Sequence, residues 1–289
     1  MVLVRSGGEG KTGICLNRDP DAPSPQMATP ESATSPPADT NRDDRRSRGL
    51  RRLFSGNRVS RAEEEALLRG FFDNRCDGVY VDVGANDPFL GSTSWIVERT
   101  GWSGVLVEPI PALAERLRQE RSGRVFNCAC SRREDEGKRL KFWIHPQNPG
   151  WSTFHREASP WFQDEAVEID VAVRTLDSIL EEADIAEGFE LLAMDVEFHE
   201  VDVLEGLDLA RWQPQLLFVE DHVHDHRLLR HLAARGYRCY RRTGLNSWFI
   251  PANSTRKASL WMKWGVFRKY YLALPFRRIK LWYKGLLRR

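Results

Sequence analysis

No stretch of this 289-residue chain approaches the roughly eighteen consecutive apolar residues that a membrane-crossing helix requires. The opening "MVLVRSGGEGKTG" also lacks the apolar core of a signal peptide, so export by that route is not expected. Cysteine is scarce: five, odd in number and scattered, which argues against the disulfide framework of a small secreted domain. Cys128 and Cys130 lie two apart with no second pair nearby, so they are expected as buried thiols rather than half a zinc site. A reducing, cytoplasmic setting fits this usage. Three binding signatures are absent as well. "SGGEGKTG" has Arg5 where a phosphate loop needs its first glycine, and no G-x-G-x-x-G follows a strand. The H-E-x-x-H zinc motif fails because Val203 occupies the second histidine position after His199 and Glu200. Finally, acid is missing from 256–289, which carries eleven Lys and Arg, leaving 32 basic against 41 acidic residues in 1–255.

What is present describes a globular protein, with 41% hydrophobic and 29% charged residues. Three parts are expected. Residues 1–55, rich in Pro, Ser, Asp and Arg, lack apolar periodicity and are read as disordered. Residues 56–255 form the folded domain, and 256–289 form a basic aromatic tail. Within the domain, "RAEEEALLRGFF" is an amphipathic helix with Leu67, Leu68, Phe71 and Phe72 on one side. Strands and helices then alternate. "GVYVDVGAN", "SGVLVEP", "RVFNCACS", "GFELLAMDVE" and "PQLLFVEDH" read as strands, and "STSWIVERT", "PALAERLRQER", "LDSILEEADI" and "DHRLLRHLAARG" as helices. "KRLKFWIHP" and "EIDVAVRT" are further strands, and "YRCYRRT" with "NSWFIP" makes a closing hairpin. Such alternation implies a doubly wound, parallel α/β sheet.

Ligands of these sheets bind beyond the carboxyl ends of the strands, where strand order reverses. That directs attention to "VDVGANDPFLGSTS". Gly84 lets backbone approach a ligand, Asp82 offers a carboxylate and Asn86 both donates and accepts. Glu108, at the tip of the next strand, is suited to gripping the two hydroxyls of a ribose. The spacing fits NAD or S-adenosylmethionine. A single glycine preceded by Asp82 favours the cationic amino acid end of S-adenosylmethionine over a pyrophosphate.

"VYVDVGANDPFLGSTSW", "GVLVEPIPALAERL", "VAVRTLDSIL" and "MDVEFHEVDVLEGLD" followed by "WQPQLLFVEDH" occur in order over about half of the chain. Together they resemble the FkbM-type family of S-adenosylmethionine-dependent methyltransferases. The resemblance implies the Rossmann-like methyltransferase sheet of seven strands with the last antiparallel. It also implies S-adenosylmethionine as donor, and methylation of hydroxyl oxygen on a sugar, glycolipid or polyketide-type acceptor. Asp82, Gly84 and Asn86 match the family's first motif, Ser94 a serine opening the following helix, and Glu108 the ribose-binding acid. Adenine is expected near Asn127 and Ala129. One departure stands out: the family usually reads D-V-E-G, and this chain has Phe198 in place of the glycine.

Oxygen methylation needs alignment of the reactants and a base for the hydroxyl proton. Asp195 or His199 is expected as the base, with Glu197 positioning substrate. No metal ligand set is assigned, although Asp195, Glu197, His199 and Glu200 offer donor atoms. Glu220 and His222, at the end of the fifth strand, are candidates for the acceptor side, and Trp151 to Phe162 for a lid. The tail places Leu260, Trp264, Phe267 and Tyr271 on one stripe beside Lys263 and Arg268, with Pro275 expected to break it. Basic charge with interfacial aromatics points to an anionic membrane surface, in the cytoplasm; packing on the domain or a partner is the alternative, and no nucleic-acid motif accompanies it. A non-catalytic scaffold is the competing reading of function, motivated by Phe198. A nicotinamide enzyme is disfavoured by the missing glycines.

Overall fold

A computed structural model describes residues 59–157, 166–276 and 279. The expected disordered segment 1–55 and the second part of the expected lid, 158–162, lie outside the described residues. Helix α1 (Arg61–Phe71) starts where Ser60 caps it: Glu63 N–H donates to Ser60 Oγ at 3.2 Å and Ser60 N–H to Glu63 Oε2 at 2.7 Å. The units that follow are β1 (Val79–Val83), α2 (Thr93–Glu98), β2 (Ser103–Val107), α3 (Pro111–Glu120) and β3 (Arg124–Phe126). Pro111 occupies the first turn of α3, where its missing N–H costs nothing.

The chain then leaves the main sheet. β4 (Ala129–Cys130), β5 (Arg139–Ile144) and β6 (Val167–Arg174) form a separate three-stranded sheet in the order β4-β6-β5. One continuous third strand was expected over "RVFNCACS"; the structure divides it at Asn127. The Asn127 amide donates to the carbonyls of Glu108 (2.8 Å) and Pro109 (3.1 Å), satisfying acceptors beyond β2 that no strand pairs. The chain returns through α4 (Leu176–Glu182), β7 (Leu191–Met194), α5 (Glu200–Glu205), α6 (Leu209–Trp212), β8 (Leu216–Glu220), α7 (Arg227–Ala234), β9 (Tyr237–Thr243) and β10 (Asn246–Pro251).

The main sheet has seven strands in the order β3-β2-β1-β7-β8-β10-β9, parallel except that β10 pairs antiparallel with both β8 and β9. The last strand is antiparallel, as expected. Both faces are covered, which is why the central strands read as near-continuous apolar runs. Val81, Val83, Val105, Val107, Leu192 and Met194 pack on one face with α4 and α7. Tyr80, Leu106, Leu191 and Phe218 pack on the other with Leu68 and Phe71 of α1 and with Phe72 just beyond it. Strand order reverses between β1 and β7, so the connections leaving these strands diverge and leave a crevice beyond their carboxyl ends.

The described part of the tail, α8 (Leu260–Phe267) and a π-helical turn (Arg268–Leu272), is docked by its inner face. Tyr270 and Leu274 bury against Val223, and the Tyr270 hydroxyl donates to Asp221 at 2.5 Å. The expected stripe of Leu260, Trp264, Phe267 and Tyr271 faces outward. Helical backbone continues past Pro275 to Phe276; the irregularity falls one turn earlier, where the proline ring denies the Tyr271 carbonyl its usual donor.

Candidate active site

Gly84 closes β1 at φ +82°, and a Cβ built there would lie 1.9 Å from the Asp195 carbonyl oxygen. The glycine therefore brings the ends of β1 and β7 together, with Asp195 N–H donating to the Val83 carbonyl at 3.0 Å. Two hollows flank this junction and share Gly84, Asn86 and Asp195.

The first hollow, about 560 Å³ with the water at its mouth, carries Glu108 and is otherwise largely apolar: Ile110, Ala129, Phe142 and Phe154. Glu108 is buried, and its two oxygens accept from the backbone N–H of Asn86 and of Ile110, each at 2.8 Å. Burial nevertheless outweighs these bonds and lifts its pKa to about 7. The roof belongs to the small sheet and the loop after β5. Thr153 Oγ1 donates to the Glu197 carbonyl at 2.7 Å and pins Ser152 and Phe154 over the opening. That is the described part of the expected lid.

The second hollow, about 580 Å³, is polar, lined by Arg61, Asp82, Asp195, Glu220 and Asn246. Asp82 is buried and held by Ser94 Oγ–H at 2.5 Å. Arg121 in turn donates to Ser94 at 2.9 Å and pairs with Glu98 at 2.6 Å. Burial raises the Asp82 pKa, and Ser94 and Arg121 only partly offset it. Such a carboxylate is short of positive charge, which a ligand ammonium would supply. Arg61 offers a cation to a ligand carboxylate in the same hollow.

Asp195 lines both hollows, and its carboxyl is held well above the ordinary range by the protein atoms packed about it and then by Glu220 and Glu197. Glu220 lines the same polar hollow and is raised too, first by burial. Two neighbouring carboxylates cannot both ionise freely.

The other expected residues fall elsewhere. Ser94 is fully buried beneath Asp82 and reaches neither hollow; it orients the carboxylate. Asn127 is exposed and lines neither hollow, committed to the two carbonyls described above. Ala129 is on the apolar wall. His199 lies on that wall also, but its Nε2 is 3.1 Å from Ser131 Oγ and its Nδ1 3.1 Å from His155 Nε2. Burial, joined by His155, lowers its pKa to about 4 despite Asp202. Glu197, at φ +45°, is buried behind Asp195 and faces His222.

Phe198 stands at φ +75°, a backbone conformation suited to glycine. Its ring stacks on His222 (5.3 Å) and His224 (5.1 Å), over a depression separate from both hollows. Its bulk therefore does not fill the crevice. Sequence reasoning missed Arg61, Ile110 and Phe142. Arg61 lies in the first helix, far from any motif, and Phe142 in an inserted sheet, so no local spacing marks either as part of the site.

The Methyltransferase FkbM domain matches residues 82–239. A crystal structure of a methyltransferase from Geobacter sulfurreducens is similar at 15% identity and a TM-score of 0.34, over 74% of this chain and 89% of that one. Among curated proteins no match emerges.

Proposed function

The chain belongs to the FkbM methyltransferase family, and from that premise we propose that it moves a methyl group from S-adenosylmethionine to a hydroxyl oxygen of a sugar, glycolipid or polyketide-type acceptor. The observation that carries this reading is the pair of hollows about Gly84. One is apolar with a single buried carboxylate at Glu108, suited to adenosine. The other has Asp82 and Arg61, suited to an amino acid's ammonium and carboxylate. When bound, S-adenosylmethionine supplies an electrophilic methyl on a sulfonium leaving group. Glu108 accepts from the ribose hydroxyls, Asp82 holds the ammonium, and Ser94 and Arg121 keep Asp82 in place. Asp195, on the wall common to both hollows, takes the acceptor's hydroxyl proton, and its raised pKa suits that task. His199 is a weaker candidate, because both ring nitrogens already have protein partners.

The outward stripe of α8 and the turn after it supports a membrane-facing role. Leu260, Trp261 and Phe276 are 82, 74 and 74% exposed within a segment rich in Lys and Arg and free of acids. Because Tyr270 fixes this segment to Asp221, beside His222, the stripe would bring the crevice to a lipid-linked acceptor. Vesicles of phosphatidylglycerol should sediment the protein, and Trp261→Ser with Phe276→Ser should abolish this; unchanged sedimentation refutes it. Truncation is a poorer test, since it removes buried Tyr270. The catalytic reading is tested with methyl-labelled S-adenosylmethionine and a panel of glycolipids and hydroxylated polyketides. Label in an alkali-stable ether supports O-methylation. Donor binding without transfer to any acceptor favours a scaffold.

A further inference from the structure

Beside Asp195 lies a second group of side chains to which the methyl-transfer reading gives no contact with donor or acceptor. Glu197 comes from the turn after β7, Glu220 ends β8, and His222 follows two residues on. One donor atom from each lies within 4.8 Å of the others. His222 Nε2 is 3.4 Å from Glu197 Oε2 and 3.6 Å from Glu220 Oε1. Donors bonded at about 2.0–2.2 Å to one tetrahedral ion stand roughly 3.3–3.6 Å apart, so His222 already stands at ligand spacing from both carboxylates. An independent sign points the same way. Glu197 is 6% exposed, and its buried Oε2 accepts no hydrogen bond although His222 Nε2 is 3.4 Å away. A buried carboxylate oxygen left in this state is costly unless a cation meets it.

We propose that Glu197, Glu220 and His222 bind one divalent first-row transition-metal ion, with a free coordination position turned toward Asp195. Two carboxylate oxygens and one imidazole suit manganese or zinc better than calcium or magnesium, which favour all-oxygen sets. Three protein ligands with a position left open is the arrangement of catalytic rather than structural sites. Glu220 lines the polar hollow, so the open position is reachable from the crevice. The ion's catalytic role rests on the methyl-transfer reading: an acceptor hydroxyl on the ion loses its proton to Asp195 more readily. The binding itself does not depend on that reading. A second cluster, His155, His199 and Asp202, has comparable spacing. There, however, His199 is engaged at both nitrogens by Ser131 and His155.

The test uses the full chain freed of metal by chelation, with Mn²⁺ alone followed by loss of its free-ion paramagnetic resonance signal, and Zn²⁺ alone by calorimetry. One ion per chain should bind in the micromolar range. Glu220→Gln and His222→Ala should each weaken binding at least about tenfold, and His155→Ala should leave it intact. S-Adenosylhomocysteine titrated into the His222→Ala protein checks its fold and the donor site separately. No binding of either ion below millimolar concentration, or binding lost only in the His155 variant, overturns the proposal. In that case His222 is an imidazolium balancing two carboxylates. Failure of S-adenosylhomocysteine to bind the wild-type protein while Mn²⁺ binds would instead count against the methyltransferase reading and leave the metal site standing.

Discussion

Glu108 titrates at about 7, against an ordinary value of 4.5, because burial outweighs two backbone hydrogen bonds. Only its ionised form presents acceptors to both hydroxyls of a ribose. Donor affinity should therefore rise with pH up to about 7 and level off above it. Well below that pKa, each pH unit costs about tenfold, or about 1.4 kcal/mol. 5′-Methylthioadenosine isolates the effect, since it carries adenine and ribose but no ammonium to report on Asp82. Calorimetric titrations between pH 5.5 and 8.5 should show its Kd increase about tenfold from pH 7.5 to 6. Glu108→Gln should bind more weakly by about 1.5–3 kcal/mol at pH 8, the worth of hydrogen bonds to a charged group, and lose the slope. The stability of the ligand-free protein should run the opposite way. The folded state holds the Glu108 proton that the unfolded chain gives up above pH 4.5. This group's contribution is fully present below 4.5 and declines as pH rises toward 7. A flat Kd in the wild type, or a slope that survives in Glu108→Gln, refutes the assignment of Glu108 to the ribose.

Further outcomes follow from the crevice. Gly84→Ala forces a Cβ to 1.9 Å from the Asp195 carbonyl at φ +82°; urea unfolding should show a loss of about 3 kcal/mol or more, with donor binding abolished, and a loss under about 0.5 kcal/mol would contradict the packing described. Phe198→Gly relieves roughly 1–2 kcal/mol of backbone strain but forfeits the stacking on His222 and His224. Stability should stay within about 1 kcal/mol of wild type and donor affinity should not move, because the ring lies outside both hollows; a severalfold change in affinity would place Phe198 in the donor site after all. Asp195→Asn should lower kcat about a hundredfold or more with donor Kd nearly unchanged, measured with an acceptor from the labelled panel; an unaltered kcat removes Asp195 as base.

The sheet was legible because its strands are buried on both faces and punctuated by turn residues. "VYVDV", "GVLVE", "ELLAM" and "LLFVE" could hardly be anything else. The break at Asn127 was not, since apolar alternation runs on through "RVFNCAC" while a side-chain amide turns the backbone. Asp82, Gly84 and Glu108 were visible as residues at strand tips, but the reason for Gly84 was only half visible. Its closest neighbour is a carbonyl more than a hundred residues later in the chain. Ser94 and Asn127 illustrate the same limit. A motif marks that a polar residue belongs near a site, whereas only the fold distinguishes a residue that meets the ligand from one that holds up its neighbour. Phe198 read as an obstruction because composition at a glycine position says nothing about where a ring will point. The Glu197–Glu220–His222 group was split between two strand ends, and no single-segment spacing connects them.

In the proposed function the two hollows are the halves of one donor site. Titration calorimetry of S-adenosylmethionine and S-adenosylhomocysteine into the folded full-length chain tests this directly. One molecule of either should bind per chain, each excluding the other, and Asp82→Asn should weaken both while 5′-methylthioadenosine binding persists. A chain that melts cooperatively yet binds neither compound would contradict the assignment.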